Sequence, residues 1–257
     1  MVTGAAPLRL RVQFTKEDTA RYLSHSEYSR TLMISARRAS LPLEYAGYRM
    51  SRMKISLSPP LPIGITSECE LMDFGLSSYV PAAEAQRLLR EALPGGIGVV
   101  GCRLLAADAR PVGKLIDTAC FRVRLLSDAR TEGDLRGAVE RFLEKSSISY
   151  ERVQPRRTRI VDLRGGVHKL AFDEKKTGDE DGICLVMTLD DGISGTIKPW
   201  EVIEVLARMA MIPKEIWNKA QVHRTGLFAR RADRLLSPME IGGRGAPAGG
   251  GNREARY

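Results

Sequence analysis

LRLRVQFT (residues 8–15) alternates without a break: Leu8, Leu10, Val12 and Phe14 fall on one side, Arg9, Arg11 and Gln13 on the other. Side chains of a strand point to opposite faces in turn, so this stretch predicts a half-buried strand, apolar inside and basic outside. Next comes RYLSHSEYSRTLMISARRASLPLEY (21–45). Ser24 and Glu27 have the S-x-x-E spacing of a capping box, in which each side chain satisfies the other residue's backbone amide. They predict a helix running to about Ala39, closed by Pro42, with Tyr28, Leu32 and Ala36 as its apolar stripe. Strand signals follow around LEYAG and MKISLSPP and at SECELMDF (67–74). A helix begun by Pro81 runs to Leu93 and stops at a Pro-Gly-Gly turn, and IGVVGCRLL (97–105) is a further strand. The order is β-α-β-β-α-β.

After the turn-rich ADARPVGK the same order starts again. In IDTACFRVRLL, Ala119, Phe121, Val123 and Leu125 alternate with Arg122 and Arg124. A helix over 132–144, strand-like SISYERV and TRIVDLR, the strand ICLVMTL, a helix entered at Pro199 and an extended segment near NKAQVHRTGLF complete it. The pattern predicts an α+β protein of two tandem ferredoxin-like (split βαβ) units, residues 7–106 and 115–230. The break falls near 107–114. The glycine-rich end, residues 241–257, is expected to be a disordered tail.

A chain of 257 residues, 43% hydrophobic and 28% charged, can bury a substantial core. Forty Lys and Arg against 31 Asp and Glu give a formal charge of +9, which favours a polyanionic partner. Nucleic acid is favoured over a membrane: no run approaches the ~18 apolar residues of a span, and no basic helix carries aromatic anchors. The first residues lack an apolar signal core, so a cytoplasmic location is expected. Cys69, Cys102, Cys120 and Cys184 lie too far apart for a metal knuckle or an iron–sulfur cluster and read as buried small hydrophobes. The three histidines, His25, His168 and His223, are not at metal-ligand spacing. No metal and no cofactor is expected.

In a split βαβ unit both helices cover one sheet face, so Arg9, Arg11, Arg122 and Arg124 are expected on the other, either as a basic surface or paired with Glu68, Glu70 and Glu151. Arg21, Arg49, Arg52 and Lys54 extend the set of candidate phosphate contacts. The outward strand positions lack the aromatic residues on which bases stack. His25, one residue beyond the N-cap, lies near the positive helix end, which favours a neutral imidazole and makes it a candidate general base.

The 21–45 stretch, KISLSPPLPIGITSECELMDF, and the later RIVDLRGGVHKL and HRTGL together resemble the radical-SAM-linked domain of unknown function, over roughly residues 7–228. The motif positions are Leu23, Ser24, His25 and Glu27, then Pro60, Leu61, Pro62, Gly64, Ser67 and Glu70, with Arg224 and Thr225 in the last segment. Where that family usually carries a Gly-Phe-Asn-Pro-His-Pro-like loop, this chain has Tyr48 to Met53. The resemblance implies a bacterial cytoplasmic accessory protein encoded beside, or fused to, a radical SAM protein. Association of some members with ribonuclease E/G-type domains points toward RNA.

Three functions remain open on the sequence. The favoured one is a non-catalytic module that presents an RNA, tRNA or rRNA, to a partner radical SAM enzyme. The second is a metal-independent endoribonuclease or RNA-processing enzyme using His25, with Arg21, Arg49 or Arg52 at the phosphate. The third is a protein-only adaptor for the radical SAM partner.

Overall fold

The alternating stretch forms strand β1 (Leu8–Lys16), whose Leu10, Val12 and Phe14 have no exposed surface in a computed structural model of the protein. The structure describes residues 8–125, 129–154, 157–173, 182–193, 195–232 and 234–242. They form a mixed α+β protein with a large sheet core and five α-helices. The chain divides into two compact units, one reaching to Ile116 and resuming at Leu227, the other spanning Asp117–Gly226.

In the first unit β1 is followed by α1 (His25–Arg38), the short β2 (Tyr45–Ala46), β3 (Arg52–Met53) and β4 (Ile55–Leu57), then β5 (Thr66–Leu76), α2 (Ala82–Ala92) and β6 (Val99–Ala106). Strand β1 lies between β5 and β6, and β4 pairs with β5; all three pairings are antiparallel. The α1 cap forms as the sequence predicts: Ser24 N donates to Glu27 Oε2 at 2.8 Å and Glu27 N to Ser24 Oγ at 3.3 Å. Tyr28, Leu32 and Ala36 then pack with Leu10, Val12, Phe14, Phe74 and Leu89 in one core. Each large side chain buried there contributes about 1.5–3 kcal/mol. Gly96, after α2, has φ +78°, and a Cβ there would lie 2.9 Å from the Glu17 carbonyl, so only glycine fits the turn.

The second unit contains β7 (Thr118–Leu125), α3 (Ala129–Glu144), β8 (Ser149–Gln154), β9 (Arg157–Asp162), β10 (Val167–Phe172), β11 (Ile183–Asp190), α4 (Pro199–Met209) and α5 (Lys214–Trp217). The unit boundary falls inside β12 (Gln221–Arg231), and β13 (Arg234–Leu236) pairs with the end of that strand. The strand order is β10-β11-β7-β12. Ala119, Phe121, Val123 and Leu125 are buried, as their alternation requires.

Two stretches differ from the sequence expectation. Strands β8 and β9 pair with each other as a separate ribbon. Arg152 fastens this ribbon to α4 through two 2.7 Å bonds to Glu201, and Tyr150 donates to Glu204 at 2.8 Å. The sheet position falls instead to β10, whose register shifts between Val167 and Lys169 and so hides its alternation. Residues 107–114, expected as the inter-unit break, belong to the first unit. Of the expected tail, residues 243–257 lie outside the described residues.

The basic outer face of β1 is also used differently from the expectation. Arg11 is fully buried, with Nε 2.7 Å and Nη2 3.0 Å from the Asp73 carboxylate, its cross-strand neighbour on β5. Its remaining donors reach the carbonyls of Pro238 at 2.7 Å and Arg110 at 3.0 Å, while Asp73 accepts from Val112 N at 2.8 Å. Arg9 donates to the carbonyls of Ala107 and Ala109, and Arg103 to that of Met239. Once segments 107–112 and 238–239 cross the strand, Arg11 cannot face water and must be paired; it is unavailable to a phosphate.

Replacing Asp73 with Asn removes the carboxylate paired with Arg11 and leaves that buried guanidinium next to Arg103, its neighbour on β6. The expected loss is about 3–5 kcal/mol in urea unfolding. Arg122→Ala, which breaks an exposed pair with Asp173, is expected to cost no more than about 1 kcal/mol.

Candidate nucleic-acid interface

Two distant motif segments meet in the first unit. The loop between β4 and β5 turns at Gly64, φ +88°, whose N–H donates to the Arg21 carbonyl at 2.9 Å just before α1. Leu61, Ile65, Ser67 and Glu70 are buried, whereas Pro60 is exposed and Pro62 half-buried. Ser67 Oγ accepts from Cys69 N at 3.2 Å, closing the start of β5. Beneath the α1 entrance lies the buried Lys16, its ammonium bonded to the Leu23 carbonyl at 2.8 Å and 5.3 Å from the centre of the Tyr28 ring. Tyr28 in turn donates to the Thr15 carbonyl. Ser24 and Glu27 form the cap, and His25 is the exposed first residue of the helix. The motif thus ties the α1 entrance to the 58–67 loop.

The candidate phosphate contacts separate into distinct environments. Arg11 is buried and Arg9 is held by backbone carbonyls at the wall of a cleft, so the two do not form an open basic strand face. Lys54 pairs with Glu44 at 2.5 Å and Arg122 with Asp173 at 3.2 Å; Arg124 is half-buried. Arg21 and Arg49 behave differently. The Arg21 guanidinium lies 5.5 Å from the Tyr22 ring centre and that of Arg49 5.5 Å from the Tyr48 ring centre. Both rings are open to solvent, Tyr22 at 63% and Tyr48 at 87% of its surface. Arg49 holds a left-handed backbone, φ +61°, and Arg52 is exposed beyond it. Arg49 and Arg52 have no carboxylate partner among the described residues.

Arg224 belongs to the interior. It is 1% exposed, lies 3.2 Å from the Asp191 carboxylate and sits over the Phe121 ring, with Thr225 half-buried beside it. The two tyrosines are what strand-based reasoning missed. Their signal was present as the neighbouring pairs Arg21-Tyr22 and Tyr48-Arg49.

Burial raises the Cys102 thiol to about 12 and pushes those of Cys120 and Cys184 upward, which keeps all three protonated at neutral pH. Among the described residues no three His, Cys, Asp or Glu side chains gather as a metal site. No helix among them is long and apolar enough to cross a membrane.

Residues 9–199 match the family described as an uncharacterized protein conserved in bacteria (DUF2344), and the chain belongs to that family. No curated protein matches the sequence. Among solved structures, a chain of a Cbf5-Nop10-Gar1 complex is 11% identical at a TM-score of 0.42, over 85% of this chain and 48% of its own. The protein therefore spans about half the length of that relative. DtpA from Streptomyces lividans is 11% identical over 92% of this chain and 93% of its own, at a TM-score of 0.23. DypB from Rhodococcus jostii RHA1 is 10% identical over 86% and 92%, at 0.22. These likenesses are too distant to bear on fold or function.

The α1 cap is testable by itself. Ser24→Ala is expected to cost about 1 kcal/mol of stability in urea unfolding. The hydrogen bonds from the Ser24 side chain and backbone hold the Glu27 carboxyl below its ordinary value of 4.5. A lowered carboxyl stabilises the fold above its unfolded value and loses that contribution as pH falls through the folded one. The Tm difference between the protein and Glu27→Gln should therefore be present at neutral pH and shrink below pH 4.5; a pH-independent difference would contradict the cap's charge.

Proposed function

We propose that the protein is a non-catalytic accessory module of the bacterial cytoplasm that binds single-stranded regions of an RNA, tRNA or rRNA, and presents them to a partner radical SAM enzyme. The observation that carries this reading is the pair of solvent-open tyrosines, Tyr22 and Tyr48, each with an arginine beside its ring. A flat ring accepts an unstacked base, and the neighbouring guanidinium meets the phosphate or stacks in turn; each stacked base is worth about 1–3 kcal/mol. The surplus of cations over carboxylates supplies the long-range attraction. The radical SAM partner rests on the sequence resemblance alone. The strand orders, β6-β1-β5-β4 in one unit and β12-β7-β11-β10 in the other, support reading both as split βαβ, ferredoxin-like units, the second with an inserted ribbon.

Tyr48→Ala should weaken binding of a short unstructured RNA by about tenfold or more. Changing Arg49 and Arg52 together to Glu should lower affinity further and flatten the salt dependence by about 1.4 in log–log slope, for two lost phosphate contacts. Fluorescence anisotropy across a salt series reads both effects. Unchanged affinity in both variants would remove RNA from this loop.

The exposure of His25 at the start of α1 favours one other reading, a metal-independent endoribonuclease. Incubation with total RNA in EDTA and sequencing of new 5′ ends separates the two. The accessory module produces no site-specific ends; ends made by the protein and lost in His25→Ala would make it a nuclease.

A further inference from the structure

A cleft of about 460 Å³ opens in the first unit beside the Arg11–Asp73 pair. This is the size of a metabolite site. Its charges come from Arg9, Lys54 and Lys114 on one side and Glu44 and Asp73 on the other. The carboxylates are already committed: Asp73 accepts two bonds from the buried Arg11 and one from Val112 N, and Glu44 pairs with Lys54. Counting Arg11, four cations meet two carboxylates, which leaves an excess of two positive charges. Arg9 is oriented by the carbonyls of Ala107 and Ala109, so its charge is fixed in place, and it shares the Asp73 carboxylate, 3.8 Å away, with Arg11. Lys114 is exposed, and its ammonium has no partner among the described residues.

The rest of the lining is shaped by close packing. Gly75 forms part of the wall, where a Cβ would come within 2.9 Å of Lys54 Cβ and 3.1 Å of Glu44 Oε2. Ser56 accepts from Gly113 N at 3.1 Å, which leaves its hydroxyl proton available to an anion. Leu8, Ile55 and Pro111 supply apolar surface. An excess of two positive charges, with Arg9 rigidly oriented, beside an apolar wall matches a dianionic head on a compact apolar or aromatic body.

We propose that this cleft is a binding site for a phosphate monoester, carried either by a small metabolite or by the 5′ end of an RNA. The site is independent of the tyrosine loop, so it stands whether or not Tyr48 binds RNA.

Calorimetry with the full chain tests it, using phenyl phosphate, inorganic phosphate, a 5′-mononucleotide, and one oligoribonucleotide with either a 5′-phosphate or a 5′-hydroxyl. Phenyl phosphate should bind saturably and at least about tenfold more tightly than inorganic phosphate. Lys114→Ala should weaken it by about tenfold with an unchanged Tm, because that side chain is exposed and unpartnered; Gly75→Ala, if folded, should weaken it too. A preference for the phosphorylated oligonucleotide that disappears in Lys114→Ala identifies an RNA end as the source. Binding of the mononucleotide without that preference identifies a small metabolite. Absence of saturable binding by every phosphate ester, equal affinity for inorganic and phenyl phosphate, or binding indifferent to Lys114→Ala overturns the proposal.

Discussion

The buried Arg11–Asp73 pair organises the first unit. A guanidinium taken wholly out of water at the middle of a strand costs several kcal/mol unless its donors are met by a carboxylate and carbonyls. Here they are met by one neighbouring strand and by two segments remote in sequence, at Arg110 and Pro238. The same carboxylate receives Val112 N. One ion pair thereby fixes the path of residues 107–112, the position of the chain near 238 and one border of the cleft. The second unit has its own buried pair, Arg224 with Asp191, and Asp191 N also donates to the Asp117 carbonyl at the start of β7. In both units a buried arginine holds the fold, and in the first unit that arginine looks like surface charge in the sequence.

This division of labour determines which cations can act on a partner. Arg9, Arg11, Arg103, Arg152 and Arg224 are committed to backbone carbonyls or to sheltered carboxylates. Arg49, Arg52 and Lys114 are not held in that way, and Arg21 gives its Nε to the Asp18 carbonyl at 3.0 Å while its guanidinium lies by the open Tyr22 ring. The functional charge is therefore carried mainly by loops and by the turn after β6, with Arg9 at the border of the cleft, while the other strand arginines carry structural charge. Loops can offer an exposed ring and a guanidinium together because neither must contribute to the core.

The parts of the fold set by local physics were legible. Strict alternation gave β1 and β7, and the Ser24–Glu27 spacing gave the start of α1 to the residue. Alternation distinguishes two faces of a strand but carries no information on what covers the second face. The burial of Arg11 depends on chain near residues 110 and 238, which is why the sequence presents it as an open basic position. Strand β10 was hidden by its bulge, and the β8–β9 ribbon resembled sheet strands because pairing partners are not encoded locally. Among the motif residues, the cap role of Ser24 and Glu27 was readable. The meeting of Gly64 with Arg21, and the interior place of Arg224, arise only in the folded chain. Tyr22 and Tyr48 were visible as Arg–Tyr neighbours, yet nothing local marked their rings as open to solvent.

The central claim is that strand arginines hold the fold while the tyrosine–arginine loops meet RNA. Ultraviolet crosslinking to a short unstructured RNA with a 5′-hydroxyl end, followed by mass spectrometry of the crosslinked peptides, tests it most directly. The expected result is crosslinks at the peptides containing Tyr22 and Tyr48 and none at residues 8–14. Crosslinks concentrated on residues 8–14, with the two tyrosine peptides untouched, would contradict it.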